Sequence, residues 1–253
     1  MSERQILSIT GADRVHFLQG LLCNDVAHLD AGPVYAALLS AQGKYLADFI
    51  VLARDNAVLL DVAAPLAADL ARRLTLYRLR ADVQITTSPL LVRRGTGPAP
   101  QGAVVDPRHP ALGWRLYGAE AGDDGTDWDA LRVAYCIPET GIELIPNETY
   151  ILEAGFERLH GVDFRKGCYV GQEVTARMKH KTELKKGLTR VTLSEAAPVG
   201  TPITSEGREV GTLFTQSGSQ AIAYLRFDRA QGAMSAGPAR VSLANSASEP
   251  GQK

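Results

Sequence analysis

Strands and helices alternate through the first part of this chain without a βαβ rhythm, and after Lys186 the helical pattern stops. That change of texture limits the possible folds more than any other feature. Residues 10–22 read as a helix: Thr10 can cap it, Asp13 suits its first turn, and Val15, Leu18 and Leu21 recur on one face. Three β-like runs follow between Val34 and Val62, with turn signals at Gln42-Gly43 and Asp55-Asn56. Residues 65–77 form a second amphipathic pattern through Leu66, Leu70, Leu74 and Tyr77. Two strands (83–87 and 90–94) lead into a Gly/Pro loop, and residues 127–136 read as a helix ended by Pro138. Such interleaving favours an α+β fold with largely antiparallel sheets. Beyond Lys186, five short β-rich runs separated by Gly, Pro and Ser predict a small barrel or sandwich. The expected organisation is an α+β region over 1–185, a β unit over 186–245 and a frayed tail over 246–253.

Bulk properties narrow the class. The chain has 253 residues, 45% hydrophobic and 22% charged, with a formal net charge of −1. These are values of an ordinary globular protein, and the neutral balance argues against a nucleic-acid-coating role. No run approaches the ~18 apolar residues needed to span a bilayer. The short charged N-terminus lacks a signal-type apolar segment, so a cytoplasmic location is expected. Cys23, Cys136 and Cys168 are widely separated. They suit a reducing compartment, and without a Cys-x-x-Cys pair they make no thiolate set for zinc or a stable cluster.

The stretch Lys166-Gly167-Cys168-Tyr169-Val170-Gly171-Gln172-Glu173 concentrates the chemistry. A cysteine beside a lysine and just ahead of a helix (171–180) has its thiolate favoured by charge and backbone N–H groups. The flanking glycines allow positive φ and close backbone approach. The same spacing also fits a small buried hydrophobe in a tight turn. Glu173 suits the helix N-terminus; if the site is chemical, it accepts a proton or orients Lys166. Tyr169 would wall the thiol off from solvent. Arg177, Lys179, His180, Lys181, Lys185 and Lys186 form a basic stretch, read as a solvated helix end or as a docking surface for an anionic partner.

With Thr175-Ala176-Arg177, this stretch resembles the signature of the YgfZ-type folate-binding proteins, a family that assists iron–sulfur cluster assembly and repair and is related to the glycine-cleavage T-protein. Residues 11–26, the Leu38–Phe49 segment with its Gly43-Lys44 turn, Leu131-Arg132 with Ile137-Pro138-Glu139, and residues 203–213 are similar to other parts of that family, in the same order. The resemblance implies a T-protein-like fold: two interlocked α+β modules around a central channel, plus a small C-terminal β-barrel. It implies tetrahydrofolate as a bound ligand, held by Asp48, Lys44, Arg132, Tyr169, Gln172 and Arg177, with Cys168, Lys166 and Glu173 as the reactive group. One thiol cannot hold a cluster that takes four ligands, so a transient iron–sulfur cluster would be shared with a partner. The resemblance suggests an A-type cluster carrier as that partner and cluster-dependent enzymes as clients, any effect on tRNA modification being indirect.

Departures from the T-protein pattern bear on the alternative, a tetrahydrofolate-dependent aminomethyltransferase or demethylase using Asp48. Of two adjacent aspartates in T-proteins this chain matches the second only, with Ala47 at the first position. Residues 113–118 lack a glutamate, and Trp128 replaces an arginine. These losses argue against aminomethyl transfer and leave reduced-folate binding open. Asp48 itself reads as either a pterin ligand or a solvated aspartate on an edge strand, and Lys44 as a contact for the folate tail or a hairpin cap.

Overall fold

The computed structural model describes residues 3–180 and 183–244; the expected tail over 246–253 and Lys181 lie outside them. The described chain forms two compact units, one from residues 3–127 and 139–180, the other from 128–138 and 183–244.

The first unit is built on an antiparallel five-stranded sheet of β1 (Arg4–Thr10), β2 (Val34–Leu39), β3 (Tyr45–Arg54), β4 (Ala57–Ala63) and β5 (Gln84–Thr87), in the order β2-β3-β4-β1-β5. Strand β1 is absent from the sequence reading, which started a helix at Thr10. Instead Thr10 ends the strand, and helix α1 covers only Arg14–Gln19. Gly11 separates them at φ 101°, where a Cβ would lie 2.1 Å from the Asp82 carbonyl oxygen. Only glycine passes there. Helix α2 (Ala64–Arg78) carries proline in its first turn, where the missing N–H costs nothing.

Period-2 alternation gives the sheet two different faces. Leu7, Ile9, Phe49, Val51, Leu60 and Val62 point to one side and pack with Phe17 and Leu18 of α1 and Leu70 and Leu74 of α2. The other side carries Ile6, Leu52 and Leu59, packed with Val92 and Tyr117 of a second sheet. It also carries Tyr35, Asp48 and Asp61, by the register Ala37↔Asp48 and Ile50↔Asp61. The second sheet comprises β6 (Leu91–Gly95), β7 (Val104–Val105), β8 (Trp114–Gly118) and β9 (Gly122–Asp123), ordered β7-β8-β6-β9.

The second unit is a closed six-stranded barrel: β10 (Lys186–Leu193), β11 (Pro202–Ser205), β12 (Arg208–Ser217), β13 (Gln220–Arg226), β14 (Met234–Ala236) and β15 (Ala239–Leu243). Its order is β10-β13-β12-β11-β14-β15. The short β14, lying between Gly-rich turns, was not read from the sequence. Helix α3 (Trp128–Tyr135) belongs here, which breaks the contiguous 1–185 region expected above. Val133 and Cys136 pack with Ile222, Leu188 and Phe214, and the Arg190 guanidinium donates to the Ala134 carbonyl at 2.8 Å.

Candidate functional site

Residues 162–171 lead into helix α4 (Gln172–Lys179), and Cys168 stands exposed on that approach. Gly171 caps the helix in the left-handed region at φ 82°. A Cβ on Gly171 would meet the Ser40 carbonyl oxygen at 2.5 Å and the Gly43 Cα at 3.1 Å, while one on Gly43 would meet Val174 Cβ at 2.8 Å. The β2–β3 turn and the thiol loop, far apart in sequence, therefore touch backbone to backbone through two glycines. The turn is closed by the Gly43 and Ser40 amides donating to the Ser40 and Lys44 carbonyls, each at 2.8 Å.

Cys23 and Cys136 are buried, so Cys168 is the solvent-facing thiol of the three. Cys23 accepts from the Ala37 N–H at 3.2 Å and donates to the Gly161 carbonyl at 3.1 Å. Burial pushes its thiol from the ordinary value near 9 up to about 12, which keeps it protonated and inert. Tyr169 turns inward and does not cover Cys168; burial raises its phenol above the usual range. Both the buried-hydrophobe reading of Cys168 and the shielding role of Tyr169 are corrected by this geometry.

Asp48 lies on β3, between β2 and β4, and not on an edge strand. It is 4% exposed. Its carboxylate accepts from Tyr35 Oη at 3.0 Å, Tyr45 Oη at 2.7 Å and Thr140 Oγ1 at 2.6 Å. Three of about four acceptor positions are thus used. Burial and the Asp48 charge raise both tyrosine phenols far above their ordinary values, so both remain donors. Tyr35 stacks on Phe156 with ring centroids 4.8 Å apart, and Arg108 sits over its ring at 5.7 Å.

Behind Tyr35 runs an ion network that sequence reasoning missed. Asp106 accepts from Arg108 and Arg115; Asp61, fully buried, accepts from Arg115 at 2.8 Å, Arg4 at 2.7 Å and Tyr117 at 3.0 Å. Burial alone would raise both carboxyls, but the adjacent guanidiniums outweigh it and hold them below the usual range. The available signal was a charge inside an apolar strand: Asp61 in Leu-Leu-Asp-Val-Ala and Arg115 in Trp-Arg-Leu-Tyr.

The remaining expected residues scatter. Lys166 is buried, and its ammonium donates to the carbonyls of Gln19 (2.7 Å), Leu22 (2.5 Å) and Asn24 (3.1 Å). Lys44 donates to the Glu148 carbonyl at 2.7 Å and lies 3.6 Å over the Tyr150 ring. Arg132 is in the second unit, fully buried, donating to Asp129, the Ile137 carbonyl and Thr215. Gln172 and Glu173 occupy the first turn of α4, Glu173 and Arg177 exposed, and Lys179 pairs with Glu157. As a folate site this set fits in part. Asp48, held by its hydroxyl donors, has the acceptor chemistry to take an N–H of a pterin edge, whereas Lys44 and Arg132 are committed to protein groups. Among the described residues no three His, Cys, Asp or Glu side chains could together hold a metal ion, and no helix is long and apolar enough to cross a membrane.

Comparison with known proteins follows the same division. Residues 185–250 match the family described as the C-terminal β-barrel domain of CAF17. The chain is 31% identical over 244 residues to the mitochondrial iron–sulfur cluster assembly factor IBA57 homolog of Mycosarcoma maydis, covering 83% of this chain and 60% of that protein. The Neurospora crassa homolog is 31% identical, over 74% of this chain and 51% of its own length, and human IBA57 is 29% identical over 90% and 77%. This chain thus spans a little over half the length of the fungal relatives. The aminomethyltransferase T of the Bartonella henselae glycine cleavage system superposes with a TM-score of 0.75 at 14% identity, over 95% of this chain and 82% of that one. The fold is therefore T-protein-like with a C-terminal six-stranded barrel. These relatives are iron–sulfur cluster assembly factors named IBA57, and similarity to them does not reach the finer YgfZ-type resemblance read from the motif. The cytoplasmic location expected above is overturned, since these relatives are named as mitochondrial.

Proposed function

We propose that this protein is an assembly factor for iron–sulfur clusters that acts through the Cys168 thiol together with a partner protein. The observation that carries the reading is the contrast among its cysteines: two are buried, and the one in the Lys-Gly-Cys-Tyr-x-Gly-Gln-Glu motif faces solvent on a loop fixed by its glycine contacts. On losing its proton to solvent, Cys168 supplies one thiolate to the iron of a cluster in transit. The remaining ligands come from elsewhere, because a cluster needs about four and the described residues offer no set. That arithmetic calls for a cluster-carrying partner, an A-type carrier in our reading, with cluster-dependent enzymes as recipients. Similarity to the IBA57 assembly factors supports the same conclusion.

We further propose tetrahydrofolate as a ligand of the Asp48 cluster. Its support is the T-protein-like fold and the buried carboxylate with one acceptor position left. When bound, a reduced folate would supply one-carbon or redox-protective chemistry; this chain's part is to offer the remaining Asp48 acceptor position to a ring N–H while Tyr35, Tyr45 and Thr140 hold the carboxylate in place.

The test is rescue of a strain lacking the protein. Activity of a cluster-dependent radical enzyme should return with wild type and not with Cys168→Ala. Intact cluster enzymes alongside a loss of folate-linked one-carbon flux that depends on Asp48 would instead make the protein a transferase.

A further inference from the structure

We propose that Lys166 is a positioning residue for Cys168, holding the thiol loop in place through hydrogen bonds to main-chain carbonyls; this rests on the cluster-assembly reading above. A lysine two residues before a reactive cysteine invites the opposite interpretation, that its charge activates the thiol. The hydrogen-bond count excludes that as a direct contact. An ammonium has three protons, and all three are spent on the carbonyls of Gln19, Leu22 and Asn24. Those carbonyls belong to the last residue of α1 and the turn after it, where a cation complements the unpaired ends of a helix. Burial lowers its pKa below the ordinary lysine value, and the Asp25 and Asp163 carboxylates act against that shift. Tyr169 adds its ring face at 5.2 Å.

The receiving turn is itself fixed. The Asn24 amide donates to the Tyr35 carbonyl at 2.8 Å and the His160 carbonyl at 2.7 Å. The Asp163 N–H donates to the Cys23 carbonyl at 3.1 Å, and the Cys23 thiol to that of Gly161. Residues 160–166 are thereby stitched to residues 19–24, and Gly171 is seated on the β2–β3 turn. Residues 167–170 span the gap between the two anchorages, with Cys168 at the exposed apex. The thiol is held at a set position from which a partner can reach it.

The experiment uses the full chain with Lys166→Met and Lys166→Arg, and reads two quantities. The first is amide hydrogen exchange over residues 167–170. The second is the pH midpoint of Cys168 alkylation by iodoacetamide, resolved by peptide mass spectrometry. Positioning predicts exchange about tenfold faster in Lys166→Met, with sheet and barrel amides unchanged, Cys23 still protected and exchange largely restored in Lys166→Arg. It also predicts an alkylation midpoint within roughly 0.3 units of wild type. Unchanged exchange, or a midpoint raised by about one unit, overturns the proposal. Should Lys166→Met not fold, Lys166→Gln, which keeps two donors, is judged by the same two readouts. Failure of the functional reading looks different: Cys168→Ala then rescues the cells whatever the loop measurements give.

Discussion

The two faces of the five-stranded sheet are made by the same strands, yet they are held by opposite physics. On the helix-covered face, Phe49, Val51, Leu60 and Val62 meet α1 and α2 through apolar contact alone. Such a face tolerates exchange of one hydrophobe for another of similar volume, because its attraction has no direction. On the other face Asp48 and Asp61 sit one strand apart, each ringed by donors from three residues. Here position and hydrogen-bond count matter more than volume, since a buried charge without its partners is far costlier than a lost methylene. The lesson is that one sheet can divide its work, packing on one side and fixing polar groups for chemistry on the other.

The largest effect should come from breaking the ionic side. Asp61→Ala leaves buried Arg115 with Asp106 alone and half-buried Arg4 without its carboxylate, and should cost about 3 kcal/mol or prevent folding, as read by urea unfolding. On the apolar side Phe49→Leu should cost only about 1 kcal/mol, and a loss matching that of Asp61→Ala would erase the contrast between the faces. Asp48→Ala falls between them, at about 2 kcal/mol, because Tyr45 and Thr140 stand 2.9 Å apart and can still bond each other. It should also weaken tetrahydrofolate binding at least tenfold in a fluorescence titration; undiminished affinity would remove Asp48 from the proposed ligand site.

Cys23, which accepts from the β2 backbone, offers a pH test of how dry this side is. Its folded pKa of about 12 lies above the ordinary value near 9, so between those values the unfolded chain loses the proton first. Stability is therefore retained below pH 9 and falls as pH rises, by about 1.4 kcal/mol from this group at pH 10. The drop between pH 7.5 and 10 should be smaller by that amount in Cys23→Ala, and an equal drop in both proteins would mean the thiol is solvated. The smallest effect on stability is expected for Cys168→Ser, under about 0.5 kcal/mol by thermal unfolding, because the side chain faces water.

How far the sequence carried the reading depended on whether the signal was periodic. Helix α2, expected over 65–77, spans Ala64–Arg78, and every barrel strand but β14 lies within a few residues of a β-rich run, because burial on one side writes a period into the chain. Strand β1 escaped because a helix-like pattern began beside it, and the Gly11 contact with Asp82 that separates the two is tertiary. The same holds for the site. Cys168 was legible from its glycines and its helix, while the acceptors of Lys166 were not, being main-chain carbonyls about 145 residues earlier that no side-chain pattern announces. Arg132 was expected at a ligand and is instead spent on its own helix end and Thr215. A single sequence gives a buried guanidinium that bonds protein and one that bonds a ligand the same letter.

The backbone contact between Gly43 and Gly171 has a consequence for anyone wishing to move this thiol into another scaffold. A graft of residues 162–180 alone would carry the cysteine and leave behind the surface it is moulded against. Even one added carbon on either glycine would force the segments apart, since the clearances are 2.5 Å and 2.8 Å. The portable part is therefore discontinuous, and a transplant of the loop has to bring the β2–β3 turn with it.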